Sequence, residues 1–406
     1  MPPRIVDPEA FGVTETTLTL TFRLTDRDEP SGDAVRIRVN GEERAVSEGV
    51  TGTRQIRLDG LEPGTAHRVE FEANGVEAPE PNPWFPETVE TLSSAGAEPV
   101  ATFATLNDLH FGEPRFGGTF VDGDTGGPDS AEMPSVREGD TNVPYWRFMN
   151  EDAVADINAS GVDATFIKGD IADRGRPEQF EAARDCFSGF SAPHHAFLGN
   201  HDHYALNEGL EVDGYALLGQ PAAPRTVDLA NWRLVLLETA LPGQHHGEFD
   251  DSRLRWLEQT LEEADAAAKP TLLLMHHHPV PPEFIDRYPN SIGIRPEHSL
   301  AMFDLVGRFP SVRGVLIGHT HRNRLRRYER SGSVPWIEVN CTKDYPGGWG
   351  HYDLYEDGSF RQEVRRTSSE RALSHSTKCS GFFNGGYRMF SLGSLEQRSF
   401  TIPAPQ

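Results

Sequence analysis

Five short fragments concentrate aspartate, histidine and asparagine: Asn107-Asp108-Leu109-His110, Gly169-Asp170, Gly199-Asn200-His201-Asp202, His276-His277-His278-Pro279 and Gly318-His319-Thr320-His321. Carboxylate, imidazole and amide oxygen together suit hard or borderline divalent and trivalent cations. The lack of thiolate among them argues against a structural zinc site. Asp-x-His and His-x-His on short loops can turn both side chains toward one pocket. The ligand groups exceed what one ion needs, and two cations sharing a carboxylate, roughly 3.5–4 Å apart, use them all.

Each fragment has a bland reading as well. A lone Asp-x-His or His-x-His is more often a satisfied surface pair, and Gly-Asn-His-Asp alone reads as a turn. Three consecutive histidines cannot all be ligands, so one or two of them pack or orient. The conjunction defeats the bland reading, because every fragment directly follows an apolar run. The runs end at Leu106, Ile167, Leu198, Met275 and Ile317, and a further one ends at Leu237. In open α/β sheets chemistry gathers just beyond the carboxyl ends of the strands. Asp170, delivered by Phe166-Ile167-Lys168-Gly169, is therefore a site candidate.

The elements that must position these groups follow from periodicity. From about residue 99 apolar runs alternate with helical patterns over 145–159, 177–190, 252–267 and 297–309, which indicates an α/β domain. Asp251 or Ser252 is expected to cap the third helix, and Pro296 to open the fourth. Residues 111–144, rich in Gly, Asp and Pro, read as a lid or substrate wall, or equally as a disordered insertion. Upstream, Thr17–Leu24 and Val35–Val39 alternate with period two, and Asn40-Gly41 signals a hairpin. Residues 9–94 therefore read as a small all-β module, taken as a packing or spacer domain with no site, followed by a proline-dense linker. The last forty residues are assigned only as a C-terminal extension. The division expected is 1–98, 99–365 and 366–406.

Composition narrows the partners. The chain has 406 residues, with 62 acidic against 38 basic ones, for a net charge of −24. Such a surface repels nucleic acid and anionic lipid, so no nucleic acid polymer and no membrane is expected as a partner. Hydrophobic content of 37% and charged content of 25% describe a globular protein. There is no apolar run of membrane-spanning length. The start, Met1-Pro2-Pro3-Arg4-Ile5-Val6-Asp7, lacks the features of a signal peptide, and the expected location is cytoplasmic. Cys186, Cys341 and Cys379 form no CxxC pair and read as reduced structural thiols.

Asp108-x-His110, Gly169-Asp170, Gly199-Asn200-His201-Asp202, His277-x-Pro279 and Gly318-His319-x-His321 resemble the signature of calcineurin-like metallophosphoesterases over about residues 99–355. His246-Gly247-Glu248-Phe249-Asp250 and the His-His-His-Pro segment look most like the class III cyclic-nucleotide phosphodiesterases within that family. The resemblance implies a four-layer αββα sandwich, here preceded by the β-module. Leu61-Glu62-Pro63-Gly64-Thr65 resembles the corner of fibronectin type III domains, with His67 where those domains usually carry Tyr. Purple acid phosphatases also join such a module to this fold, but they place a Tyr ligand where this chain has Asp173.

Carried over by resemblance, metal 1 is held by Asp108, His110, Asp170 and His321. Metal 2 is held by Asp170, Asn200, His277 and His319, with Asp170 as the bridge. His277 is chosen among the three histidines because the family ligand stands two residues before the proline. The implied cofactors are two metal ions (Fe, Mn or Zn), and the implied partner is a small phosphoester. The implied reaction is hydrolysis of phosphodiesters, 3′,5′-cyclic nucleotides being one candidate, by metal-bridging hydroxide attack with His201 as general acid. Asp202 is expected either to orient His201 or to cap a turn. His203, His278 and Arg174 are weaker candidates for phosphate contact, and His245, His246 and His351 for packing. The alternatives are a phosphomonoesterase on the same site and a non-catalytic scaffold.

Overall fold

A computed structural model describes residues 3–76, 78–114, 116, 143–280 and 292–405. The N-terminal part holds β1 (Arg4–Val13), β2 (Leu18–Asp26), β3 (Glu29–Pro30), β4 (Val35–Val39), β5 (Glu42–Ser47), β6 (Arg54–Leu58), β7 (Ala66–Glu72) and β8 (Thr88–Glu90). They form two four-stranded antiparallel sheets. Alternate residues of each, among them Leu18, Leu20, Phe22, Ile37, Val39, Val69 and Phe71, share one buried cluster, as expected when side chains alternate between two faces.

Two six-stranded sheets follow. The first runs β11-β10-β9-β18-β19-β20, built from β9 (Ala101–Leu106), β10 (Ala164–Lys168), β11 (His194–Phe197), β18 (Gly348–Leu354), β19 (Phe360–Arg366) and β20 (Ser399–Ile402). Its first three strands are parallel and the rest antiparallel. The second runs β12-β13-β14-β15-β17-β16, from β12 (Arg225–Leu229), β13 (Trp232–Leu237), β14 (Thr271–Met275), β15 (Val312–Ile317), β16 (Arg324–Arg327) and β17 (Pro335–Glu338). Its four central strands are parallel.

Period two sorts the strand residues into layers. Phe103, Phe166, Leu234, Leu236, Leu272, Leu274 and Leu316 form one cluster between the sheets. Their neighbours Ala104 and Ile167 instead meet helices α1 (Tyr145–Ser160) and α2 (Pro177–Phe187) through Ile157, Phe180 and Phe187. After the short α3 (Gly214–Leu218), α4 (Asp251–Ala266) and α5 (Pro296–Arg308) cover the second sheet, where Leu257, Leu261, Met302 and Phe303 meet Val235, Leu273 and Val315. The result is the expected α-β-β-α layering.

Each expected helix is present within a few residues, and Pro296 opens α5. The cap of α4 is Asp250, whose carboxylate accepts from Ser252 N and Arg253 N. It wins over Asp251 and Ser252 because it keeps the extended backbone a cap needs. The lid or insertion reading of 111–144 falls mostly outside the described residues, of which Glu113 and Phe116 are buried. No described helix is long and apolar enough to cross a membrane.

Two readings are sharpened. The C-terminal residues form α6 (Glu370–Ser380), α7 (Gly386–Ser391), α8 (Leu395–Arg398) and β20, which completes the first sheet against β19. Of the packing and spacer readings of the β-module, packing holds, because β1 is packed into the α/β half. Phe11 lies in the cluster between the sheets. Glu9, buried, pairs with Arg366 at 3.1 Å and Arg388 at 2.8 Å and accepts from Tyr345 Oη. Arg398 donates to the carbonyls of Ala10 and Phe11.

Candidate metal centre

The five strand-end loops converge at the carboxyl ends of β9, β10, β14 and β15 and just after β11. Their backbone is unusual. Asp108, Asp170, His110, His319 and His321 all take positive φ, between 45° and 65°, a region non-glycine residues seldom occupy. Strain of this kind persists where the surroundings over-determine it, and it gathers at functional sites. Gly169 takes φ +83°, and a Cβ there would meet Gly199 N and His276 Nδ1, each at 2.7 Å. A side chain would push the two loops apart, so this position requires glycine.

Asp170 lies at the middle. Its Oδ2 is 3.2 Å from His276 Nε2 and 3.9 Å from His110 Nε2, while Oδ1 accepts from His201 N at 2.9 Å. On one side Asp108, His110 and His321 gather, with His321 Nε2 3.5 Å from Asp108 Oδ1. On the other, His276, His277 and His319 gather. His276 Nε2 is 3.2 Å from both Asn200 Oδ1 and His319 Nδ1. All seven expected ligands are thus brought together, and His276 joins them.

The donor set fits metal ions. Asp108 Oδ1, His110 Nε2, His277 Nε2 and His319 Nε2 are buried with no hydrogen-bond partner, an arrangement a folded interior avoids unless something else satisfies it. Burial, together with neighbouring imidazoles, holds His110, His277 and His319 well below the usual histidine range. They are therefore neutral, as ligation demands. Burial opposes ionisation of Asp170, but His276 and His201 beside it hold its carboxyl well below the ordinary range. Burial likewise works against a charged His276, yet Asp170 and Asp108 push it up to about 9.

The surrounding residues fix these orientations. His276 Nδ1 donates to Lys168 O at 2.7 Å, and His277 Nδ1 lies 2.9 Å from Thr239 Oγ1. Asn200 Nδ2 donates to Tyr204 Oη at 2.6 Å, which leaves the amide oxygen for the pocket. His245, expected only to pack, contacts that same hydroxyl. His201 Nδ1 donates to Asp173 O at 2.8 Å, and its ring lies against His110 and Tyr204. Asp202 takes neither expected role: it accepts from Ile171 N, Ala172 N and Gly199 N, tying two loops together.

The weaker phosphate candidates go elsewhere. His203 pairs with Glu238, and Arg174 lies 3.8 Å from Asp173. His278 is pushed down to about 4 by burial, with Glu338 opposing and Arg324 adding to the shift. His246 meets Arg295, and His351 pairs with Asp353 on β18.

A family model described as calcineurin-like phosphoesterase matches residues 101–323. The chain belongs to the calcineurin-like phosphoesterase family. Family membership implies divalent metal ions, in keeping with these His/Asp clusters. Among curated relatives, glycerophosphodiester phosphodiesterase GpdQ of Enterobacter lignolyticus is 32% identical over 186 residues, covering 45% of this chain. The aligned stretch is 65% of that protein, just under two thirds. The 3′,5′-cyclic adenosine monophosphate phosphodiesterase CpdA of Pseudomonas aeruginosa is 31% identical over 218 residues, covering 50% of this chain and 75% of that one. A solved dimetal phosphatase from Danio rerio aligns with a TM-score of 0.48 at 17% identity, covering 66% of this chain and 97% of that one.

Proposed function

We propose that this chain is a dinuclear metal-dependent phosphodiesterase acting on small diesters, 3′,5′-cyclic nucleotides among the candidates. The observation that carries it is the position of the Asp170 carboxylate between two groups of buried donors. In this reading Asp108, His110, Asp170 and His321 hold metal 1. Asp170, Asn200, His277 and His319 hold metal 2, and His276 is added because its Nε2 meets three of that set at 3.2 Å. The metals are Fe, Mn or Zn. Bound cations of this kind supply an activated water and offset charge on the phosphoryl oxygens.

The chain's own residues do the rest. Asp170 holds both donor groups in one frame and, through Oδ1, holds the backbone of His201. With Nδ1 committed to the Asp173 carbonyl, His201 keeps Nε2 for the leaving oxygen, and delivers a proton there as general acid. Asp202 keeps that loop against the one bearing Asp170. Residues 99–365 form the catalytic unit, with 1–98 and 366–406 as its support. The reduced cysteines suit a cytoplasmic protein.

A substrate panel tests the reading. Bis-nitrophenyl phosphate and cyclic AMP should turn over faster than nitrophenyl phosphate, and chelator should abolish all three. Faster monoester turnover would favour a phosphomonoesterase, and chelator-resistant activity would end the metal reading. In the same panel His201→Ala should lose roughly 10²–10⁴-fold on cyclic AMP and far less on nitrophenyl esters, whose leaving group needs no proton. Equal losses would remove the general-acid role.

Metal affinity should depend on pH. His276, at about 9, and His321, which burial lowers but the Asp108 and Asp344 carboxylates raise, both hold a proton in the metal-free protein at neutral pH. A cation must expel those protons, so apparent affinity should rise with pH toward about 9. The gain is up to about tenfold per pH unit for each proton displaced. Competition dialysis with Zn²⁺ from about pH 6 to 8 measures the slope, and a flat profile would count against these ligands.

A further inference from the structure

His321 presents Nε2 toward Asp108 and the first donor group. A neutral imidazole that offers Nε2 to a cation carries its proton on Nδ1, which then needs an acceptor. His321 Nδ1 is buried without a hydrogen-bond partner and faces Asp344 Oδ2 at 3.7 Å. Asp344 is itself fully buried and held from three directions. Cys341 Sγ and Tyr387 Oη each donate to its Oδ1 at 2.7 Å, and Lys343 Nζ lies 3.2 Å from its Oδ2. Lys343 is anchored in turn by Glu113 at 2.6 Å. Asp344 follows β17, and Tyr387 belongs to α7 of the C-terminal segment. Both lie beyond the stretch the family model matches.

We infer that Asp344, held in place by Tyr387, is the positioning carboxylate of His321, so that the C-terminal segment is part of the support of metal 1. This rests on the two-metal reading. A carboxylate behind a ligating histidine fixes its tautomer and ring angle and raises its basicity, and losing such a partner costs about 10–100-fold in metal affinity. The geometry also joins the N-terminal module to the metal, because the residue after Tyr387, Arg388, is one of the two arginines paired with Glu9, at 2.8 Å.

Equilibrium dialysis of Mn²⁺ against the full chain, expressed per folded molecule, tests this together with the electronic spectrum of the Co²⁺-loaded protein. Tyr387→Phe keeps the ring and removes only the donor, and it should weaken one of the two Mn²⁺ sites about tenfold. Asp344→Asn should weaken the same site by about 10–100-fold. Both should shift the Co²⁺ spectrum, while Met389→Ala, at a side chain 73% exposed on the same helix, should leave affinity and spectrum unchanged. A lower melting temperature with wild-type Mn²⁺ affinity and spectrum would reduce Tyr387 to packing and overturn the inference. If Asp344→Asn fails to fold, Tyr387→Phe decides alone. Absence of Mn²⁺, Fe²⁺ and Zn²⁺ binding alike by the wild-type chain would overturn the function proposed above, a result distinct from a variant that binds as the wild type does.

Discussion

Asp170→Asn is expected to weaken both cation sites at once and to lower diester turnover by at least about 10³-fold. The substitution keeps the side chain's size and removes one charge together with the Oδ2 acceptor. Asn tolerates the positive φ of 49° that residue 170 adopts, and its Oδ1 can still accept from His201 N. One unit charge removed at about 4 Å, in an effective dielectric of about 20, is on the order of 4 kcal/mol, or about 10³ in an equilibrium constant. Because the carboxylate faces both donor groups, the two sites share that loss. Metal analysis of the purified variant should find well under two ions per folded chain. Two retained ions with wild-type turnover would end the two-metal reading.

Removing residues 1–95 should leave a chain that does not fold, in contrast to what a spacer would allow. The cut takes Phe11 out of the cluster between the sheets, removes the Glu9 carboxylate that pairs with Arg366 and Arg388, and removes the Ala10 and Phe11 carbonyls to which the buried Arg398 donates. Breaking one buried pair costs about 3–5 kcal/mol, against a total stability of about 5–15 kcal/mol. Insolubility or loss of cooperative melting is the expected observation, and a soluble, active 96–406 fragment would refute it. The gentler Glu9→Gln should lower the melting temperature at neutral pH by an amount that shrinks on acidification. Burial raises the Glu9 carboxyl, but Arg366 and Arg388 outweigh this and hold it below the ordinary range. Its stabilisation is therefore present above the ordinary carboxylate range and is lost as pH falls through the folded value.

Much of the site was legible because ligand chemistry restricts residue types and strand-end loops are short. Asp108, His110, Asp170, Asn200, His277, His319 and His321 stood out only together, each within four residues of an apolar run, and the family resemblance supplied their assignment as ligands. The layers were implied by the family resemblance alone; in the structure, period two in Phe103–Leu106 and Leu234–Leu237 sends alternate residues to opposite faces. His276 was harder to read. Counting back from Pro279 favoured its neighbour, and only the fold shows which imidazole meets Asp170, Asn200 and His319.

What sequence determined by itself was therefore the local part: the strand ends, the helices behind them and the donor types they deliver. Tertiary structure alone decided how these were held. β20 completes a sheet begun near residue 101, Glu9 reaches Arg366 and Arg388, and Asp344 stands between His321 and Tyr387. Such partners lie tens to hundreds of residues apart, so no periodicity or spacing records them. A buried carboxylate such as Asp344 reads in the chain as an ordinary loop residue, and only burial and the donors around it show what it holds.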